Sequence, residues 1–536
     1  MRPRERQETG EQDLFRSRLD RIIDLTHALV KLSRAIDWRF LEMQFGSVYS
    51  DGPGCPPLPT RLMAGLALLK HMYDLSDEAL CDRWIENPYF QFFCGEEFFQ
   101  HRLPFDRSSL TRWRQRMGEA KLTALIQESL SVATRTEAMK PKDLARVVVD
   151  TTVQPKAVMF PTDAKLLNRA RERLVRLAAH VGVELRQSYA RVGKLALIKH
   201  QRYAHAHQFK RANRSLRRLK TYLGRVIRDI GRRIDGDPEL EEIFARPLSL
   251  SRRVLAQDQR QRGPKVYSLH APEVECIGKG KAHRPYEFGV KVSVATTAHR
   301  SKGGQFVTHI AALPGNPYDG HTLATVIPAM EDMIGNTIER LLADAGYRGH
   351  NAPIDYKFRV YTSGQKRRLT PQIKRELRRR AAIEPVIGHL KAEHRMGRNY
   401  LAHHAGDAVN AVLAAAGYNF HLLLRWLELL LSRFLAAQKA AAALQWVRKS
   451  KTSHGVIAGG CSPGDSKSQL GLVGSIKPQE SNHGKVCWIG CLNGRDQRVR
   501  PRWWWERCFR GQDILATGRV VETSSRKGIR RCAHRT

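Results

Sequence analysis

The chain has 536 residues, 91 Lys and Arg against 52 Asp and Glu, and a formal net charge of +39. Such a length allows two or three domains with cores of their own and excludes a disulfide-stapled mini-protein. The cationic excess favours a polyanion partner through counterion release, nucleic acid first. The first ten residues are charged and polar with no apolar signal region, and the longest apolar run, 422–437, is interrupted by Arg425, Glu428 and Arg433. No segment therefore reads as a membrane span, and a soluble, cytoplasmic protein is expected. Four cysteines scattered over the first 440 residues fit reduced thiols rather than a disulfide framework.

Taken in chain order, residues 12–37 place Leu14, Leu19, Ile22, Ile23, Leu29, Val30 and Ile36 at helical spacing, and a Pro/Gly cluster at 52–59 ends that unit. Leu62–Met72 reads as an apolar helix. Ser76 caps a helix over 79–85, and Asp106-Arg107-Ser108-Ser109 opens another through Met117. The last gathers Arg107, Arg112, Arg114 and Arg116 around Trp113. Spaced helices ending in one basic helix suit a helix-turn-helix reader of DNA. An exposed cationic helix in a structural bundle explains the same residues.

Arg146–Val149 is a β-branched run ending at Asp150, and Ile338–Ala343 an apolar run ending at Asp344, so a sheet would deliver both carboxylates from strand ends. Asp344 follows Asp150 by 194 positions, more than a three-strand meander and a helix need. Lys165–Arg233 supplies an insertion: 69 residues with 20 Lys or Arg, three acids, and Leu or Ile at helical spacing, read as a basic helical hairpin that grips DNA backbone. His200, His205 and His207 lie in it without cysteines at metal spacing, which weighs against zinc. The sheet resumes at 286–294, which alternates strictly. Gly303-Gly304 turns it into an antiparallel strand over 305–313, and a helix over 321–333, a strand over 338–343 and a short strand over 358–361 follow.

Thr370-Pro371 starts a helical segment to Arg398 that Pro385 kinks or restarts. It sets Glu384 among cations, with Lys391 seven residues on, on the same face and roughly 10 Å along the axis. A carboxylate among cations suits a metal that must also meet phosphate; a solvated helix face with ordinary ion pairs is the plainer reading. Residues 396–446 read as a long helical region. The last 90 residues mix Gly, Ser, Trp503-Trp504-Trp505 and five cysteines without periodicity. There Cys487-x3-Cys491 with His483 has an irregular spacing for zinc, and disorder is expected over 441–536.

The phrases VVVDTT at 147–152, LLADAGYRG at 341–349 and RRAAIEPVIGHLKAEHRMGRNYL at 379–401 together resemble the insertion-sequence transposases of the InsH-like (IS-five) group, which carry an RNase-H-like "DDE" domain. LSDEALCDRWIENPYFQFFCG at 75–95 resembles that family's N-terminal domain. The likeness spans about residues 10–440, and the family's Arg-x3-Glu-x6-Lys signature falls on Arg380, Glu384 and Lys391. Related groups place a Tyr where Leu377 stands. The resemblance implies an α/β fold. Its parts are an all-α N-terminal DNA-binding domain (1–138) and an RNase-H-like catalytic domain (139–440) with a basic helical insertion at about 163–260. It also implies two divalent ions, Mg²⁺ with Mn²⁺ as the alternative, on Asp150, Asp344 and Glu384, and phosphate contacts from Arg348, Arg380 and Lys391. The partner is double-stranded DNA, both terminal inverted repeats and target, bound by a homodimer or larger assembly. A DNA-binding remnant without activity and an RNase-H-like nuclease that never rejoins strands remain as alternatives.

Overall fold

Among the described residues, seven α-helices precede the first strand: α1 (Leu19–Ile22), α2 (Ala28–Ala35), α3 (Trp38–Gly46), α4 (Thr60–Met72), α5 (Asp77–Glu86), α6 (Pro88–Phe93) and α7 (Ser108–Arg135). The computed structural model describes residues 18–49, 57–259, 261, 263–278, 285–367 and 369–453, with side chains to 442; the tail and its Cys487–Cys491 pair lie outside the described residues. Local chemistry sets the helix starts. The Ser76 hydroxyl accepts from Ala79 N at 3.1 Å, and the Asn87 side chain accepts from Tyr89 N and Phe90 N, with Pro88 in the first turn. Gly118, at φ 63° and ψ −174°, interrupts α7 directly after the predicted end at Met117, so the basic segment and the apolar remainder form two helical stretches.

The sheet is built on β1 (Arg146–Pro155). Four helices then intervene: α8 (Asp163–His180), α9 (Ala190–His205), α10 (Phe209–Ile234) and α11 (Pro238–Ala256). After them come β2 (Glu275–Gly278), β3 (Tyr286–Thr297), β4 (Val307–Leu313), a 3₁₀ turn at Asp319–Thr322, α12 (Leu323–Ile334), β5 (Arg340–Ala343) and β6 (Val360–Thr362). β1 pairs antiparallel with β3 on one side and parallel with β5 on the other, and β5 pairs parallel with β6. β2 and β4 divide the far edge of β3 between them. The four-residue β2 had no sequence signal of its own.

The insertion differs from the expected hairpin. It is four helices around a separate core that includes Leu167, Leu174, Leu219, Leu223, Ile230 and Phe244. α11 lies within the expected insertion to about 260 but beyond the basic hairpin that ends at Arg233; its first turn carries Glu239 and Glu241, and Asp237 before Pro238 starts it, accepting from Glu239 N and Leu240 N at 3.1 Å.

The chain closes with α13 (Pro371–Arg379), a 3₁₀ turn at Arg380–Ala382, α14 (Ile383–Glu393) and α15 (His403–Ser453). The expected kink thus falls just before Pro385, which sits in the first turn of α14 where a missing N–H costs nothing. The apolar first half of α15 packs on α2, α4, α7 and β4, so the N-terminal helices and one face of the sheet share a single hydrophobic core. Asn419 lies at its centre. Its amide nitrogen donates to Val307 O at 2.8 Å and to Ser129 Oγ at 2.9 Å, and its oxygen accepts from Val307 N at 2.9 Å. Asn419→Ala should lower stability by about 2–4 kcal/mol, because the buried N–H and C=O of Val307 lose the amide and Ser129 Oγ keeps only its bond to Ile126 O. Denaturant unfolding measures it, and a loss below about 0.5 kcal/mol would mean that those groups are satisfied otherwise.

Candidate active site

Asp150 and Asp344 meet for a reason visible in the strand register. Val148 pairs with Leu342 and Val149 with Ala343, where the parallel ladder stops. Alternation along each strand puts Asp150 on the face of Val148 and Asp344 on that of Leu342. That face is covered by Ile383, Val386 and Leu390 of α14. The expectation of two strand-end aspartates needs one correction. β1 continues to Pro155, because the β-branched Thr151, Thr152 and Val153 keep pairing with β3. It is β5 that ends, which leaves the β5 side of Asp150 open.

Arg380, in the 3₁₀ turn between α13 and α14, reaches both acids: NH1 lies 3.8 Å from Asp150 Oδ2 and NH2 3.6 Å from Asp344 Oδ1. Asp150 is mostly buried, and Thr151 N donates to its Oδ1 at 2.8 Å. Burial is the largest influence on its carboxyl, and together with the charges of Asp344 and Asp319 it pushes the pKa up to about 6 against the pull of Thr151 N–H and Arg380. Asp319 was not anticipated from the sequence. Its Oδ1 accepts from Thr151 Oγ1 and from Lys291 Nζ, both at 3.0 Å, and Lys291 also donates to Pro317 O at 2.8 Å. The signal available was Tyr318-Asp319-Gly320 directly before a helix, which reads as an ordinary helix start.

The remaining predicted residues divide. Glu384 is exposed in the first turn of α14 and forms no metal-holding group with Asp150 and Asp344. Among the described residues no three His, Cys, Asp or Glu side chains form a group able to hold a metal ion. Oxygen-only donors and a buried anion suit a hard cation such as Mg²⁺; as the side chains stand, two carboxylates converge and a guanidinium lies against both. Arg348 is exposed beyond the Asp344 turn, with NH2 3.4 Å from Ser363 O. Lys391, expected at phosphate, has its Nζ 3.9 Å from Glu287 Oε2 of β3. Leu377, where related groups carry Tyr, packs half-buried on the main core.

In the N-terminal helices Arg114 corrects the expectation of four DNA-facing arginines. Its side chain is buried and grips Asp77 with both terminal nitrogens, at 2.9 and 2.7 Å. Lys70 Nζ donates to the same carboxylate at 2.7 Å. The bidentate pair outweighs exposure for Arg114 because a planar guanidinium matches a carboxylate so well. Arg116 lies over the Tyr49 ring at 5.1 Å, Arg107 pairs with Asp82 at 2.8 Å on the surface, and Arg112 is exposed.

Two outcomes follow from these charges. The folded pKa of Asp150 lies above its unfolded value of 3.8, so folding is favoured most below that value and loses this favour as pH rises through about 6. Asp150→Asn should therefore raise stability at pH 8, by on the order of 2 kcal/mol, with the gain gone by about pH 4. Thermal unfolding without divalent ions tests this, and a variant less stable at pH 8 would contradict it. Arg114→Ala should cost about 3 kcal/mol, since Asp77 keeps only one of its two buried cations; a change within about 0.5 kcal/mol in denaturant unfolding would return Arg114 to the surface.

A family profile described as a transposase domain (DUF772) matches residues 17–116, which span α1–α6 and the basic start of α7. A protein of Rhizobium meliloti named "Uncharacterized protein ORF8 in nfe locus" is 51% identical over 209 residues, 39% of this chain and 100% of that protein. No solved structure matches. The chain belongs to the family of the ORF8 protein, a transposase-related family.

Proposed function

We propose that the protein is a DNA transposase of the InsH-like DDE group, cutting and joining DNA at the ends of an insertion sequence. The observation that carries this reading is the convergence of Asp150 and Asp344 beside Arg380 at the end of the β1–β5 ladder. The sheet supports an RNase-H-like catalytic domain, with an antiparallel β1, β3 and β4 on one side and parallel β5 and β6 on the other. Asp150 and Asp344 would hold Mg²⁺ or Mn²⁺, which supplies Lewis acidity at a phosphodiester, and Glu384 is the third acid that the resemblance adds to them. Arg380 neutralises the two aspartates and is placed to take a phosphate oxygen. Asp319, through Thr151 and Lys291, fixes the strand that carries Asp150.

Double-stranded DNA is the partner that the charge supports. Exposed Arg214, Arg217 and Arg218 of α10 and Arg112 of α7 offer phosphate contacts. No described helix is long and apolar enough to cross a membrane. Assembly as a dimer or larger on DNA belongs to the same proposal.

Incubating the protein with its element's ends, a plasmid and Mg²⁺ should give strand-joined products. Asp150→Asn, Asp344→Asn and Glu384→Gln should each abolish cleavage, while affinity for the ends changes little, because phosphate contacts dominate it. Full cleavage by any one variant removes that residue from the active set. Replacing Arg214, Arg217 and Arg218 with Gln should flatten the slope of log affinity against log salt by about 0.9 for each phosphate that is no longer neutralised; an unchanged slope would show that α10 faces away from DNA.

A further inference from the structure

Two adjoining cavities lie where β1 leaves the sheet for the insertion, of about 480 and 390 Å³. They share Phe160, Pro161, Leu166 and Tyr267 as a common wall. The larger is cationic: Lys165, Arg169, Arg173 and Arg176 follow one another along one side of α8 and line it. Arg173 is held by a 2.8 Å bond to Leu269 O, and the lining acid, Glu172, is already engaged by Arg171 and Asn168. The smaller is aromatic, walled by Phe160, Phe209, Tyr267 and Phe288, with the amide side chains of Asn213 and Gln259 beside them. Phe160 stands 63% exposed and Phe209 60%, an arrangement no core requires. Phe288 fixes the Phe160 ring edge-on at 5.5 Å and contacts Tyr267 at 5.4 Å.

We infer that this double cavity binds unpaired DNA, with a base among the rings of Phe160, Phe209 and Tyr267 and the adjoining phosphates along Lys165, Arg169 and Arg176. The inference rests on the reading of the chain as a DNA-processing protein and adds a second, single-strand site to it. A cationic track beside exposed aromatic faces is the combination that single-stranded nucleic acid needs, since stacking accepts any base and the cations follow the backbone. A base inside a duplex has both faces covered and cannot enter a cavity walled by rings. The site is also suitably placed: β1 runs from Asp150 to Pro155, about 17 Å, and the wall at Phe160 follows five residues later. One DNA molecule with its ends opened at the aspartates would present an unpaired stretch there.

The test uses the full chain and a short oligothymidine carrying 2-aminopurine, followed by anisotropy and by base fluorescence, with a duplex of the same length measured separately. The wild type should bind the oligonucleotide and quench the aminopurine. Phe160→Ala combined with Phe209→Ala should weaken single-strand binding about tenfold and abolish the quench, with duplex affinity unchanged, whereas Phe160→Trp should keep the quench. Because both rings are mostly exposed, these changes spare the fold, which circular dichroism verifies. Arg169→Gln with Arg176→Gln should lower the salt dependence of single-strand binding. If duplex is bound but the oligonucleotide is not, or is quenched equally by the double-alanine variant, the single-strand site is overturned and the transposase reading stands. Failure to bind duplex as well overturns both.

Discussion

One buried amide constrains most of the main core. Asn419 engages both the N–H and the C=O of Val307 in β4, and also the hydroxyl of Ser129 in α7, so α15 can dock in only one register against helices and sheet together. Apolar contacts alone would let a long Ala- and Leu-rich helix slide by a turn at little cost; three directional bonds inside a core do not. The same helix carries Gly417 at its crossing with α4, where a Cβ would come within 2.5 Å of His71 Cβ. His421 Nδ1, 2.9 Å from Met72 O, and Trp426 Nε1, 3.0 Å from Thr136 O, continue the fastening toward the N-terminal helices.

With α15 fixed, the remaining segments place the site. Glu376, buried on α13, holds Arg340 and Arg146 at the starts of β5 and β1, which anchors the turn that follows it. Arg380 is projected from that turn over Asp150 in the middle of β1 and Asp344 just past the end of β5. A guanidinium there compensates anions whose desolvation is the dominant influence on Asp150. The arrangement is unfavourable for the fold, since burial penalises the ionised carboxylate more than its neighbours compensate it. At the far end of β1, Lys156 lies between Glu273 and Asp407, at 3.1 and 2.8 Å, and secures the point from which the insertion departs.

What the sequence disclosed was whatever local periodicity or spacing encodes. The alternation over 286–294 is β3, the apolar run before Asp344 contains β5, and the Arg380, Glu384 and Lys391 spacing falls across one turn and one helix. What it hid depended on distant partners. Arg114 looks like any cation on a basic helix until Asp77, 37 residues away, is brought beside it. Asp319 gains its place only when Thr151, 168 residues earlier in the chain, pairs with it. The length of β1 was underestimated because its C-terminal half is held by β3, which follows the whole insertion. The aromatic wall at Phe160 was equally silent, since Tyr267 and Phe288 reach it from beyond the insertion.

The shared core also bears on how such chains decay. Leu29, Leu68, Leu125 and Trp84 belong to the same buried cluster as Val294, Phe306, Leu413 and Phe420. The N-terminal helices are therefore not a detachable module. A copy cut short before the sheet would lose the cover that α15 gives α2, α4 and α7, and would present a broad apolar face to the cell. Quality control would meet that face before DNA did. A chain so truncated would on this account be cleared by proteolysis rather than persist.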